Sequence, residues 1–202
     1  MNRLKIYGDK KSGNCYKIQL TCSLLGIEYE WIDIDILAGD TQCDSFLSKN
    51  PAGKIPLLEL DDGRHLSESN AIINYLANGS NLLPTDDFLL AKVQQWQFFE
   101  QYSHEPYIAV ARFIQKYLNL PTERLDEYRS KQIGGHKALT VMNDHLRNNY
   151  FLVGNAITTA DISLYAYTHV AYEGGFELEH YPYIDTWLKR IENMPNYVAM
   201  KQ

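Results

Sequence analysis

Polar and apolar residues alternate from Arg3 to Tyr7, with Leu4 and Ile6 on one side, the period-two pattern of a strand with one buried face. Gly8-Asp9-Lys10-Lys11-Ser12-Gly13-Asn14 is dense in turn-forming residues and is expected as a loop. From Cys15 to Leu25 the period changes. Ile18, Cys22 and Leu25 recur at helical spacing, and Gly26 follows where a helix takes a left-handed terminating residue. Ile27 to Ile36 concentrates Tyr29, Trp31 and isoleucines and predicts a second strand. Strand, helix and strand this close together imply a right-handed βαβ unit. A short helix is expected around Ser45-Phe46-Leu47, and two strands, Pro56 to Leu60 and Arg64 to Leu66, flank an Asp61-Asp62-Gly63 hairpin turn. A helix follows through Ala71-Ile72-Ile73-Asn74-Tyr75-Leu76.

The pattern then breaks at Asn78-Gly79-Ser80-Asn81 and Pro84. This places a boundary between a mixed α/β part, residues 1–77, and a part without strand signals, residues 88–202, joined by a linker at 78–87. The second part reads as all-α. Leu89, Val93, Trp96, Phe99 and Tyr102 set a helix from Phe88 to Tyr117, which Pro106 should kink. A second helix starts at Thr122 and runs to Asn149, with Gly134-Gly135 marking a bend or a close helix contact. Thr158 and Asp161 are spaced as an N-cap and its N3 partner, with Ile157 and Ile162 as the accompanying staple. Pro182 to Ile191 and the tail after Pro195 are expected to complete the helices, with Trp187 as a core anchor.

Two backbone devices sit in the stretch Asn50 to Ser69. Pro56 opens an apolar run and cannot donate to a sheet ladder, so it belongs at a strand's first residue, on an edge or in a turn. A cis Ile55-Pro56 bond fits there and would leave the main chain of Ile55 to pair with an extended, peptide-like ligand. Glu68-Ser69 stands where a helix N-terminus presents N–H groups that favour a carboxylate.

The run N-P-x-G-K-I-P-x-L, then D-D-G, then L-x-E-S-N-A-I-x-x-Y-L resembles the glutathione-binding half of cytosolic glutathione transferases. The Thr158 to Asp161 arrangement resembles a second hallmark of the same family, whose role is folding. The resemblance spans essentially the whole chain. It implies a thioredoxin-like βαβ-ββα domain followed by a helical bundle. It also implies glutathione as co-substrate, a small electrophile as the other substrate, and a homodimer. Carried over by position, Ile55 before Pro56 pairs with the cysteinyl backbone of glutathione, Glu68 and Ser69 hold its γ-glutamyl carboxylate, Lys54 sits near the glycyl end, and Asn14 joins the site.

Composition narrows the field further. A net charge of −6 with a pI near 5.5 argues against nucleic acid or an anionic membrane as partner. No apolar run approaches the ~18 residues of a membrane span, and a cytoplasmic protein is expected. The cysteines Cys15, Cys22 and Cys43 have no metal-ligand spacing, the histidines form no metal motif, and no metal is implied.

Glutathione chemistry needs a thiolate, and a free thiol, with a pKa of about 8.5, is mostly protonated at neutral pH. The activating donor is expected between the first strand and the first helix. Ser12, in Ser12-Gly13-Asn14-Cys15, resembles the S-x-x-C turn of theta-like transferases, whose serine donates to the glutathione sulfur. Cys15 falls where beta-class bacterial transferases place a cysteine able to form a mixed disulfide, and Tyr7 ends the first strand where other classes place a catalytic tyrosine. A backbone amide or Asn14 completes the alternatives. The helix after Phe88 brings Tyr102, His104, Tyr107 and Arg112 forward for the electrophile. Conjugation is the leading activity, with a glutathione-dependent reductase or peroxidase, or a non-catalytic module of the same fold, as alternatives.

Overall fold

The computed structural model describes residues 4–201, so Arg3 lies outside the described residues. The chain divides into two compact units, one up to Ser80 together with the tail from Pro195, the other from Asn81 to Met194.

The first unit holds β1 (Leu4–Gly8), α1 (Gly13–Leu25), β2 (Tyr29–Asp33), α2 (Asp44–Leu47), β3 (Leu57–Glu59), β4 (His65–Ser67) and α3 (Ser69–Ala77). The strands form a mixed sheet in the order β2-β1-β3-β4. β1 runs parallel to β2 and antiparallel to β3, and β4 returns antiparallel beside β3. Ile6 lies opposite Trp31 and Leu58, and Ile6 and Leu58 are fully buried. α1 and α3 pack on each other and bury Ile18, Leu20, Cys22, Ile72 and Ile73.

Alternation puts Lys5, Tyr7, Glu59 and His65 on the opposite face from Ile6. Glu59 is the hub there. Its carboxylate accepts from Lys49 Nζ at 2.8 Å, Tyr7 Oη at 2.7 Å and Lys5 Nζ at 2.9 Å. Those donors, Lys49 first, hold it well below the usual carboxylate range.

Local chemistry explains most boundaries. Ser12 caps α1, so the helix begins at Gly13, two residues before the apolar periodicity starts. Gly26, at φ 65°, closes it, with Ile27 N–H donating to Cys22 O at 2.9 Å. β2 is only Tyr29–Asp33, because Asp35 turns the chain by accepting from the N–H groups of Leu37 and Ala38. The hairpin turn closes at Gly63, φ 82°.

The second unit holds α4 (Asp87–Phe99), α5 (Glu105–Arg112), α6 (Leu125–Leu146), α7 (Thr159–Thr168) and α8 (Pro182–Glu192). Pro106, expected to kink one long helix, instead sits in the first turn of α5, directly after a π-helical turn over Glu100–His104. The wider turn accommodates a residue with no N–H to donate. A second π turn, Phe113–Tyr117, ends that run. α6 is entered through a single 3₁₀ turn at Thr122–Arg124 and stops at Leu146, short of Asn149.

Gly134 and Gly135 are the close contact expected of them. A Cβ at Gly134 would stand 2.2 Å from the Tyr107 ring, and one at Gly135 2.3 Å from the Phe176 ring. Every residue of α7 is buried. The tail after Pro195 is a correction to the sequence reading: it forms no helix and groups with the first unit, where Val198 O accepts from Tyr16 Oη at 2.7 Å and Asn196 O from Ser23 Oγ at 2.7 Å.

Candidate functional site

The candidate binding residues all come from loops and helix ends of the first unit. The turn between β1 and α1 is built by Asp9, whose carbonyl accepts from Ser12 N–H at 3.0 Å and whose carboxylate accepts from Lys11 N–H at 2.8 Å. This places Ser12 as the N-cap of α1, half-buried, with extended backbone angles of −79° and 125°. Its oxygen accepts a long 3.4 Å bond from Cys15 N–H. A hydroxyl that accepts in a cap still has its own proton to donate.

The two alternatives to Ser12 are differently placed. Cys15 is fully buried, its sulfur packed beneath Gly8, where a Cβ would approach it to 2.7 Å. Burial pushes its thiol up to about 12, so it stays protonated and out of reach of solvent. Tyr7 spends its hydroxyl on Glu59 and receives Lys49 Nζ at 2.7 Å, with Phe46 against its ring at 6.5 Å. Cys22 is buried and likewise raised to about 12.

The second loop carries the cis Ile55-Pro56 bond. Asn50, nearly fully buried, shapes its approach: Nδ2 donates to Lys54 O at 2.7 Å and Oδ1 accepts from Ala52 N–H at 3.2 Å. Gly53, at φ 59°, is held from outside by Gln42 Nε2 on its carbonyl at 3.3 Å. Lys54 is exposed and Ile55 half-buried beside the buried Pro56.

Between β4 and α3 the chain passes through Glu68 at φ 68° and ψ 109°, a backbone conformation that costs a side-chain-bearing residue on the order of 1–3 kcal/mol. Glu68 is exposed, and the helix behind it starts at Ser69, itself 5% exposed. Ser69 Oγ donates to Asn14 Oδ1 at 3.1 Å and accepts from Lys17 Nζ at 3.2 Å. Thus the first two turns of α1 and the first turn of α3 meet through Asn14, Lys17 and Ser69.

The residues expected for the electrophile are differently placed. His104 is fully buried, with Nε2 at 2.9 Å from Thr168 Oγ1. Arg112 is 2% exposed and paired with Glu173, which also receives Lys116. Both belong to the interior of the helical unit. Tyr107 lines a cavity of about 140 Å³ with Phe99, Ser103 and Gly134, while Tyr102 is 83% exposed.

Thr158 and Asp161 form a reciprocal capping box in the helical unit. Asp161 Oδ2 accepts from Thr158 N–H at 2.9 Å and Thr158 Oγ1 at 3.0 Å, and Oδ1 accepts from Leu152 N–H at 2.9 Å and Trp187 Nε1 at 3.0 Å. Burial nevertheless pushes its carboxyl up to about 6, against those donors.

Asn50 and Lys17 escaped the sequence reading. Asn50 had a signal in the Asn-Pro turn pair. Lys17 had one too: Asn14, Lys17 and Thr21 recur at three and four residues, a polar stripe on one face of a largely buried helix. Among the described residues, no group of His, Cys, Asp and Glu could hold a metal ion, and no helix is long and apolar enough to cross a membrane.

Comparison with known proteins places the chain. Family models described as "Glutathione S-transferase, N-terminal domain" and "Glutathione S-transferase, C-terminal domain" match residues 12–78 and 121–195. A crystal structure of a glutathione S-transferase from Pseudomonas fluorescens Pf-5 is 58% identical, with a TM-score of 0.97, over 98% of this chain and 99% of that one. Glutathione S-transferase 3 of Zea mays is 31% identical over 80% of this chain and 75% of its own. Elongation factor 1-gamma of Artemia salina is 30% identical over 82% of this chain, which spans only 39% of that protein.

Proposed function

The chain belongs to the glutathione S-transferase family, and from that premise we propose that it is a glutathione transferase whose Ser12 hydroxyl donates to the glutathione sulfur and holds it as thiolate for attack on a small electrophile. The observation that carries the reading is the position of Ser12 as the half-buried N-cap of α1, while the neighbouring thiol of Cys15 is buried and protonated. A two-unit drop in thiol pKa requires about 2.7 kcal/mol of preference for the anion. One charge-assisted hydrogen bond supplies about 1.5–3 kcal/mol and the N-terminus of α1 about 0.3–1 kcal/mol, which together suffice.

In this reading Ile55 pairs through its backbone with the cysteinyl residue of glutathione, beside Pro56. Lys54 faces the glycyl carboxylate, and Glu68, Ser69 and Asn14 take the γ-glutamyl end. Glu68 reaches its position through the unusual backbone at φ 68°, the kind of local strain that collects at ligand clamps. Tyr102 and Tyr107 remain the electrophile-side candidates, and a cytoplasmic homodimer accompanies the proposal. The reductase alternative needs a solvent-reachable Cys15, and its burial counts against that route.

The likeness to elongation factor 1-gamma favours a second reading, a binding module of this fold without turnover. One experiment separates the two. The wild-type protein and Ser12→Ala are titrated calorimetrically with glutathione while the thiolate absorbance of the bound ligand is followed against pH. The transferase reading expects binding with a thiol pKa about two units below the free value of ~8.5, and a rise in Ser12→Ala with affinity retained. Binding without any shift in the wild type supports the module, and a shift unchanged in Ser12→Ala removes Ser12 from the role.

A further inference from the structure

We propose that Lys17 is the positioning residue that makes this site select a free carboxylate at the γ-glutamyl end of its ligand. The inference rests on the glutathione reading and deepens it. Lys17 lies mid-way along the first half of α1 and is 0% exposed. A fully buried ammonium is rare, because removing it from water is costly unless the surroundings reward the charge.

The surroundings here are the first turn of α3. Nζ donates to Ser69 Oγ at 3.2 Å and reaches Asn70 Oδ1 at 3.4 Å. Ser69 Oγ, in turn, donates to Asn14 Oδ1 at 3.1 Å. The direction of this chain matters. Because Lys17 can only donate, Ser69 Oγ uses a lone pair on it, and the hydroxyl proton is driven to the side away from Lys17. A carboxylate arriving at the start of α3 therefore meets a hydroxyl already polarised as a donor, and the proton has only to turn from Asn14 to the ligand.

Charge works in the same direction. Taken out of water, the ammonium acts through a lower effective dielectric than a surface lysine would, so its field at the neighbouring helix end is less screened. The N–H groups of the first turn of α3 add their own partial positive charge. Both effects favour an anion at the start of α3. A primary amide in the same place still accepts from the hydroxyl through its carbonyl oxygen but gains no charge attraction. Lys17 thus acts through Ser69 without touching the ligand, and its signature is selectivity rather than loss of binding in general.

The test compares glutathione with an analogue whose γ-glutamyl α-carboxylate is a primary amide, each titrated calorimetrically into the wild-type protein and Lys17→Met. Methionine keeps the length and apolar stem of lysine and removes the charge. The expected result is about a tenfold loss of affinity for glutathione with a much smaller loss for the amide analogue, so that the preference for carboxylate collapses. A purely structural role lowers both affinities alike and overturns the proposal, as does a preference that survives in Lys17→Met. Lys17→Gln, which retains a donor to Ser69 without the charge, gives the same readout should the methionine variant be recovered unfolded. Wild-type protein that binds no glutathione removes the functional reading and this inference together. Wild-type binding with an unchanged preference in the variants removes the inference alone.

Discussion

Trp187 Nε1 donates to Asp161 Oδ1 at 3.0 Å, which ties α8 to the capping box at the start of α7. The same carboxylate also holds Leu152 and Thr158, so one buried side chain organises three segments of the helical unit. Thr158→Ala removes one of its four donors and should cost about 0.5–2 kcal/mol. Trp187→Phe should cost at least as much, since it empties volume and leaves a buried oxygen short of a partner, about 1–3 kcal/mol for the latter alone. Urea midpoints of the two variants check this; unchanged midpoints would mean that the cap is not sustained in solution.

Gly134 and Gly135 should resist replacement. On an exposed helix, Gly→Ala stabilises by roughly 1 kcal/mol. Here the new methyl would press on the rings of Tyr107 and Phe176, so Gly134→Ala and Gly135→Ala should each destabilise, overpacking costing about 1–3 kcal/mol. Thermal unfolding gives the sign directly, and a raised midpoint in either variant would contradict the packing described.

Ser69→Ala should weaken glutathione binding by about 1–3 kcal/mol, the scale of a lost hydrogen bond to a charged group. Glu68→Ala should fall in the same range. Calorimetric titration measures both, and unaltered affinity in both variants would move the γ-glutamyl subsite elsewhere.

His169 sets an acid sensitivity. Its ring stacks on Tyr165 at 4.6 Å, Nδ1 donates to Tyr165 O at 2.8 Å, and burial depresses it to about 4. In the unfolded chain it takes up a proton near pH 6.5 and in the folded chain only near 4, so the unfolded state holds more protons between those values. Stability from this group is therefore full above about pH 6.5 and lost as pH falls towards 4. Asp161 works in the opposite direction over much of that range, its raised carboxyl favouring the fold as pH drops below about 6. The difference between wild type and His169→Phe isolates the histidine: the variant should lose less stability between pH 7 and pH 4, by up to ~3 kcal/mol. Parallel pH profiles of the two proteins would show that His169 is solvated in the folded state.

The sequence by itself determined those features whose cause is local. A period of two or of three to four residues, a glycine where a left-handed residue is needed, an Asp-Gly turn and a Thr-x-x-Asp box each act over a few residues, and α1, the hairpin, α6, α8 and the cap of α7 follow from them. The Ile-Pro and Glu-Ser devices were legible for the same reason, since each is a short backbone motif. What only the tertiary structure decided depends on which distant segments pack together. The same pattern that places His104 and Arg112 on a helix cannot say that Thr168 and Glu173 will enclose them. The tail after Pro195 has helix-compatible residues, but its carbonyls accept from Tyr16 and Ser23 of the first unit. Cys15 and Ser12 lie three residues apart in one turn, yet burial beneath Gly8 raises the first to about 12 and leaves the second half-buried at the helix end. Lys17 is the clearest case. A lysine on a helix reads as solvated until α3 is laid against it, and only then does its ammonium become a buried donor to Ser69.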